Sequence, residues 1–176
     1  MSLRYGILGL LKFGPKTGYD VNAYFQHSLS FFWKAQTSQI YRELNKLEEA
    51  EYASSEIVVQ YDKPNRKVYH ITDKGSEAFM QWLNSYEEGD ELRDSFLLKM
   101  FFSGFRDKKK SIAALEHYIE TAENELALAE EESSEIQNTI PKNNTHRKYW
   151  IATSQYEIMH CKMKIEWAEN TIKSLM

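Results

Sequence analysis

Residues 37–71 begin Thr37-Ser38-Gln39-Ile40-Tyr41-Arg42-Glu43-Leu44-Asn45-Lys46-Leu47 and continue into two β-rich segments on either side of Asp62-Lys63-Pro64-Asn65-Arg66. In the first part Ile40, Leu44 and Leu47 recur at i, i+4 and i+7, the spacing of a buried stripe on a short amphipathic helix. That spacing places Ser38, Arg42 and Asn45 on the opposite face, with Gln39, Tyr41 and Lys46 at its flanks. In the second part Ile57, Val59 and Tyr61 alternate with polar positions. Tyr69 and Ile71 resume the alternation beyond the Pro64-Asn65 turn, as a half-buried hairpin requires. Lys63, Arg66 and Lys67 cluster at the hairpin tip. A helix followed by a basic-tipped hairpin is the pattern of a winged DNA-reading element.

Upstream, residues 2–13 read as a first helix that Pro15 stops, with Gly6 and Gly9 spaced so that another helix backbone can approach closely. Thr17 caps a second helix running to about Ser28. Asp20, at its third position, complements the exposed N–H groups and the dipole there, and Val21, Tyr24 and Phe25 supply its buried face. Phe31-Phe32-Trp33 form an apolar loop before the third helix, which completes a helix-turn-helix order. Downstream, Thr72 caps a fourth helix whose Phe79, Trp82 and Leu83 share one face. These elements define a winged domain over residues 1–85.

Residues 86–91, beginning Tyr86-Glu87-Glu88-Gly89-Asp90, are polar and acidic and read as a hinge. Residues 92–176 read as a second, helical domain that opens through Phe96, Leu97, Met100 and Phe101. From there Ile112, Leu115, Ile119, Ala122, Leu126, Ala129, Ser133, Ile136 and Ile140 alternate at three and four, a coiled-coil-like seam that Pro141-Lys142-Asn143-Asn144 breaks. The last helix carries two seams. One is Ile151, Ser154, Ile158, Cys161, Ile165, Ala168, Ile172 and Leu175; beside it run Tyr149, Ala152, Tyr156, Met159 and Met163. One neighbour cannot cover both, so the periodicity predicts that one seam packs on the chain's own long helix and the other on a second protomer related by twofold symmetry. Ile151, Ile158, Ile165 and Ile172 are the candidate dimer residues. The expected architecture is mainly α with a small β-hairpin: an N-terminal winged helix-turn-helix followed by a coiled-coil-like dimerisation domain.

Composition narrows the function classes. The chain has 176 residues, 42% apolar and 14% aromatic, enough to bury a core and too apolar for a disordered polymer. Its apolar run Tyr5–Leu11 is too short to span a bilayer and has no cleavage site behind it, which points to a cytoplasmic protein without a membrane partner. A single cysteine, Cys161, excludes an internal disulfide framework, and the adjacent His160 points about 100° away on a helix, so no metal site is expected. Neither a phosphate loop, a G-x-S-x-G elbow nor an H-E-x-x-H pair appears, so neither an enzyme nor a cofactor is expected. The net charge of −4 is unevenly spread: residues 1–85 carry ten Lys/Arg against nine Asp/Glu, residues 86–176 twelve against seventeen. Phosphate attraction acts over about 8 Å at physiological salt, so the acidic C-terminal half does not cancel a local basic surface.

Three segments together resemble the PadR family of bacterial transcriptional regulators. They are Tyr5-Gly6-Ile7-Leu8-Gly9-Leu10-Leu11 leading to Thr17-Gly18-Tyr19-Asp20, Ser38-Gln39-Ile40-Tyr41-Arg42-Glu43-Leu44 with Leu47, and Tyr69-His70-Ile71-Thr72-Asp73-Lys74-Gly75. Arg93-Asp94-Ser95-Phe96-Leu97-Leu98-Lys99-Met100-Phe101-Phe102 followed by two helices resembles the long subgroup of that family. The resemblance implies a homodimeric winged-helix regulator, usually a repressor, in some members relieved by a small aromatic effector bound between the two domains. Tyr19, Trp33, Phe96, Met100, Tyr149 and Trp150 are the residues suited to such an effector.

The expected partner is a double-stranded, palindromic operator, which suits two reading helices about one turn, roughly 34–36 Å, apart. Arg42 can read guanine, and Gln39 or Asn45 adenine, through bidentate bonds; Ser38 and Tyr41 suit phosphate contacts. Lys63, Arg66 and Lys67 would anchor phosphates or enter the minor groove. The rival reading is an adaptor that uses the same N-terminal fold and helical C-terminal part to bind a protein, because fold does not fix function.

Overall fold

A computed structural model describes residues 2–30, 33–59, 65–86 and 94–176. They form two compact units, Met1–Gly89 and Asp90–Met176. The expected positions Phe31, Phe32, Tyr61, Lys63 and most of the hinge segment lie outside the described residues.

In the first unit the order is α1 (Ser2–Lys12), β1 (Lys16–Thr17), α2 (Gly18–Gln26), α3 (Thr37–Glu49), β2 (Ala53–Val58), β3 (Arg66–Ile71) and α4 (Asp73–Leu83). Ile7, Leu8 and Leu11 of α1 meet Val21 and Phe25 of α2 and the Ile40-Leu44-Leu47 stripe of α3, all essentially buried. Each such aliphatic side chain contributes roughly 1.5–3 kcal/mol on leaving water. Thr17 caps α2 as the sequence implies: its hydroxyl accepts from Asp20 N at 3.1 Å while Asp20 Oδ2 accepts from Thr17 N at 2.9 Å.

Tertiary structure changes several details. The hairpin is the larger part of a three-stranded antiparallel sheet in the order β1-β3-β2, because Lys16 and Thr17 pair with Tyr69 and Val68. Ile57 and Val59 are 68% and 67% exposed rather than half-buried. Ile57 shares the face of Ala53 and Tyr69, which are buried, so the ribbon runs past the edge of the helical layer. Leu83 and Tyr24 are also exposed, Tyr24 lying under Lys16 Nζ at 5.3 Å. Gly6 and Gly9 meet the rings of Phe25 and Phe79 rather than a helix backbone.

The end of α3 is tied to the start of α4. Glu51 adopts φ 60°, Tyr52 N donates to Leu47 O at 2.8 Å and Glu51 N to Glu48 O at 3.0 Å, a Schellman-type stop made without glycine. Thr72 Oγ1 donates to Glu51 O at 2.7 Å and accepts from Gly75 N at 3.0 Å, and Lys74 Nζ donates to Ala50 O at 2.9 Å. Gly75 is required here, since a Cβ would lie 2.0 Å from Tyr52 O.

The second unit contains α5 (Ser95–Phe101), a 3-10 turn (Ser103–Phe105), α6 (Lys108–Thr139) and α7 (Arg147–Leu175). Asp94 caps α5 by accepting from Phe96 N at 2.7 Å and Leu97 N at 3.1 Å. Helices α6 and α7 form an antiparallel hairpin. Leu115, Ala122, Ala129 and Ser133 are buried on α6, and Ser154, Cys161 and Ala168 on α7. Lys164 Nζ bonds Glu125 at 2.6 Å, and Arg147 closes the hairpin by donating to Ile140 O and Gln137 O at 3.0 and 3.1 Å. These carbonyls end α6, where a cation also complements the helix dipole.

Candidate nucleic-acid interface

Helix α3 positions the reading residues through its buried stripe: with Ile40, Leu44 and Leu47 fully inside, Ser38, Arg42 and Asn45 are exposed on the opposite face. Arg42 has no acidic partner among the described residues, so its guanidinium fork is available for a bidentate contact. Gln39 is also exposed, but its Oε1 accepts from Gln36 N at 3.0 Å and so serves the start of its own helix. Tyr41 is 42% exposed and its ring covers Gly18, where a Cβ would lie 2.5 Å away. Tyr41 therefore locks the start of α2 against α3 while leaving part of its ring outside. Glu49, which the sequence reading left out, ends the same face as Arg42 and limits the favourable potential to the N-terminal part of α3.

The two described wing cations, Arg66 and Lys67, separate. Arg66 is exposed at the open end of β3, paired in register with Val58. Together with Lys16 it helps hold the Asp20 carboxyl below the usual carboxylate range, the larger causes being the hydrogen bonds from Thr17. Lys63 is outside the described residues. Lys67 is engaged elsewhere: its Nζ donates to Glu48 Oε2 at 2.6 Å and stands 5.0 Å from the Tyr69 ring centre. A signal for this was present in the sequence, because Lys67 lies two residues from Tyr69 on one strand and so faces the helices with it.

The effector candidates of the second unit do not all converge. Within the first unit, Tyr19 is 74% exposed and Trp33 packs on the core edge. Within the second, Phe96 stacks on Tyr118 with centroids 4.2 Å apart and meets Trp167 edge-on at 6.3 Å, and Met100 is half-buried in α5. Tyr118 and Trp167 were not singled out from the sequence. Trp150 stacks on His146 at 5.7 Å beside the exposed Tyr149 at the start of α7. Trp150 precedes Trp167 by 17 positions on that helix, about 26 Å at ~1.5 Å per residue. Phe96 and the Tyr149-Trp150 pair therefore cannot line one pocket of a single chain.

The candidate dimer residues also need adjustment. Ile151, Ile158, Ile165 and Ile172 are half-buried beside the Ser154-Cys161-Ala168 line, so they flank the contact with α6 rather than forming a free face. The outward face of α7 carries Tyr149, Ala152, Tyr156, Met159 and Met163, of which Tyr156 and Met159 are 66% and 71% exposed. No group of three or more His, Cys, Asp or Glu side chains among the described residues could hold a metal, and no helix among them is long and apolar enough to cross a membrane.

Comparison with known proteins agrees with this geometry. The model described as the transcriptional regulator PadR-like family matches residues 7–81, and that described as virulence activator alpha C-term matches residues 92–176. The negative transcriptional regulator PadR of Bacillus subtilis is 40% identical over 101 residues, 57% of this chain and 56% of that protein. The chain spans about half the length of the curated relatives it matches. Among solved structures, Bacillus subtilis PadR in complex with operator DNA aligns with a TM-score of 0.87 at 24% identity over 100% of both chains, and the same protein has been solved in complex with p-coumaric acid (0.78; 24%; 99% of each). The PadR-like regulator BC1756 from Bacillus cereus aligns at 0.80 and 27% identity, over 100% of this chain and 97% of that one. The Vibrio cholerae virulence activator AphA aligns at 0.75 and 25%, over 99% and 98%. Residues 7–81 thus form a domain of the PadR-like family of transcriptional regulators, residues 92–176 match the C-terminal unit of the virulence activators, and the chain as a whole has the fold of the PadR structures.

Proposed function

We propose that this chain is a homodimeric, sequence-specific DNA-binding repressor acting on a palindromic operator in the cytoplasm. The observation that carries the reading is the exposed polar face of α3, Ser38, Arg42 and Asn45, opposite a fully buried stripe and with Arg42 unpaired by any acid among the described residues. A helix held this rigidly can enter a major groove and present one cation and two hydrogen-bonding groups to base edges and phosphates. Arg66 and Lys63 supply the wing's phosphate contacts. The second protomer packs on the outward α7 face of Tyr149, Tyr156, Met159 and Met163, since the inward seam is occupied by α6.

The repressing sense follows the negative regulator matched in sequence, and the small aromatic effector follows the related fold solved with p-coumaric acid. With Phe96 and Trp150 far apart within the second unit, an effector that touches both needs two protomers.

The test is selection of bound duplexes from a random pool at near-physiological salt, with the association state measured in parallel. A palindromic motif recovered by a dimer supports the proposal; a protein that binds no duplex sequence preferentially returns the chain to the adaptor reading. Arg42→Ala is expected to cost about 1–3 kcal/mol of sequence discrimination, roughly 5–150-fold, and to relax specificity at one position of each half-site. Unaltered discrimination would remove α3 as the reading helix. For the effector, p-coumaric acid added to the preformed complex is expected to release DNA.

A further inference from the structure

We propose that Glu48 is a positioning residue: it latches the wing onto the reading helix and withholds Lys67 from the DNA backbone. This rests on the DNA-binding reading above and assigns a role within it. Glu48 lies one turn beyond Asn45 on α3, and its two carboxylate oxygens are used by two different strands. Oε1 accepts from Ser55 Oγ of β2 at 2.5 Å, and Oε2 accepts from Lys67 Nζ of β3 at 2.6 Å. Ser55 pairs with Tyr69 and Ile57 with Lys67 in the ladder, so both hydrogen-bonding side chains sit on the sheet face turned toward the helices. The Tyr69 ring, nearly fully buried, backs Lys67 at 5.0 Å and fixes the direction of its stem.

The electrostatics of both partners agree. The Glu48 carboxyl is held below its ordinary value, first by the Lys67 hydrogen bond and then by Ser55, while the Lys67 ammonium is raised, first by Glu48. A paired lysine releases no phosphate counterion when DNA binds. The wing, otherwise a two-stranded ribbon projecting past the helical layer with Ile57 and Val59 exposed, gains a direct tie to the helix whose depth in the groove it must match. The latch thus exchanges one phosphate contact for a fixed angle between wing and helix.

The experiment is a salt titration of affinity for the duplex recovered by selection, using the full chain, Lys67→Met, Glu48→Gln and the double variant. Each engaged phosphate contributes about 0.9 to the slope of log affinity against log salt. The latch predicts that Lys67→Met keeps the wild-type slope and that Glu48→Gln steepens it by about 0.9 per protomer, about 1.8 for a dimer on its palindrome, because the freed lysine of each protomer now reaches a phosphate. The double variant is expected to return to the wild-type slope. A purely structural role for Glu48 would lower affinity without changing the slope. Lys67→Met shallower by about 0.9 per protomer, or Glu48→Gln no steeper than wild type, overturns the proposal. Glutamine can still accept from Ser55, and a thermal melt checks that each variant is folded. Failure of the wild-type chain to bind any duplex in a salt-dependent way is a different outcome, and it removes the DNA-binding reading itself.

Discussion

Glu51 holds a left-handed backbone, φ 60°, in order to stop α3 and turn the chain into β2. For a residue with a Cβ that conformation costs on the order of 1 kcal/mol, and glycine adopts it freely. Its side chain faces only Lys74 at 3.7 Å in an exposed pair that contributes little. Glu51→Gly is therefore expected to stabilise the protein by roughly 0.5–1 kcal/mol, read as a higher midpoint in urea. Gly75 predicts the opposite sign. Its missing Cβ makes room for the Tyr52 carbonyl, which is backbone and cannot swing aside, so Gly75→Ala is expected to cost about 1–3 kcal/mol or more in the same measurement. Of this pair the sequence showed Thr72 as a cap and nothing of the Tyr52 approach, because that approach joins positions more than twenty residues apart.

At the scale of elements, the α6–α7 hairpin carries a charge that its packing opposes. Glu157 is half-buried on α7, and burial, with Glu132 and Glu125 behind it, raises its carboxyl from the ordinary 4.5 to about 7. Glu132 is raised as well, by burial and Glu135. A raised carboxyl means that the folded state binds more protons than the unfolded chain between about pH 4.5 and 7, so stability falls as pH rises through that window and stays low above it. Lys164, which could offset the charge, is already bonded to Glu125 at 2.6 Å. Urea unfolding at pH 8 and pH 5 should show the hairpin more stable at the lower pH, and Glu157→Gln should remove most of that difference by stabilising at pH 8 only. The heptad spacing foretold the hairpin and its seam; it did not reveal Glu157, which reads as an ordinary solvated position in any single-helix pattern.

For the whole molecule, the proposed function depends on a second copy. On α7 the side turned to α6 is lined with Ser154, Cys161 and Ala168, whereas the outward side carries tyrosines and methionines. Apolar residues of that size on a long helix face mark an interaction surface. Introducing charge there, Tyr156→Glu with Met159→Glu, is expected to yield a monomer by sedimentation with the helical content of the hairpin retained. The same variant should lose affinity for a palindromic duplex while keeping its weaker binding to a single half-site, because each α3 still presents Arg42. Retention of a dimer would place the interface elsewhere, Ile151 and Ile158 on the flank being the next residues to test.

Local rules were sufficient for the elements: periodicity identified α1 to α4 and the α6–α7 hairpin, Thr17 and Thr72 marked helix starts, and the Ile40-Leu44-Leu47 stripe determined which side of α3 faces outward. These are properties of neighbours within a turn or two, and the residues between fix them. Tertiary structure alone decided the third strand, because two residues such as Lys16 and Thr17 form a strand only when β3 offers its edge. It decided that Ile57 and Val59 overhang the core, that Glu48 is the partner of the helix-facing Lys67, and which α7 seam meets α6. Each of these turns on what lies opposite a side chain, and for groups distant in sequence only the folded chain supplies the opposite side.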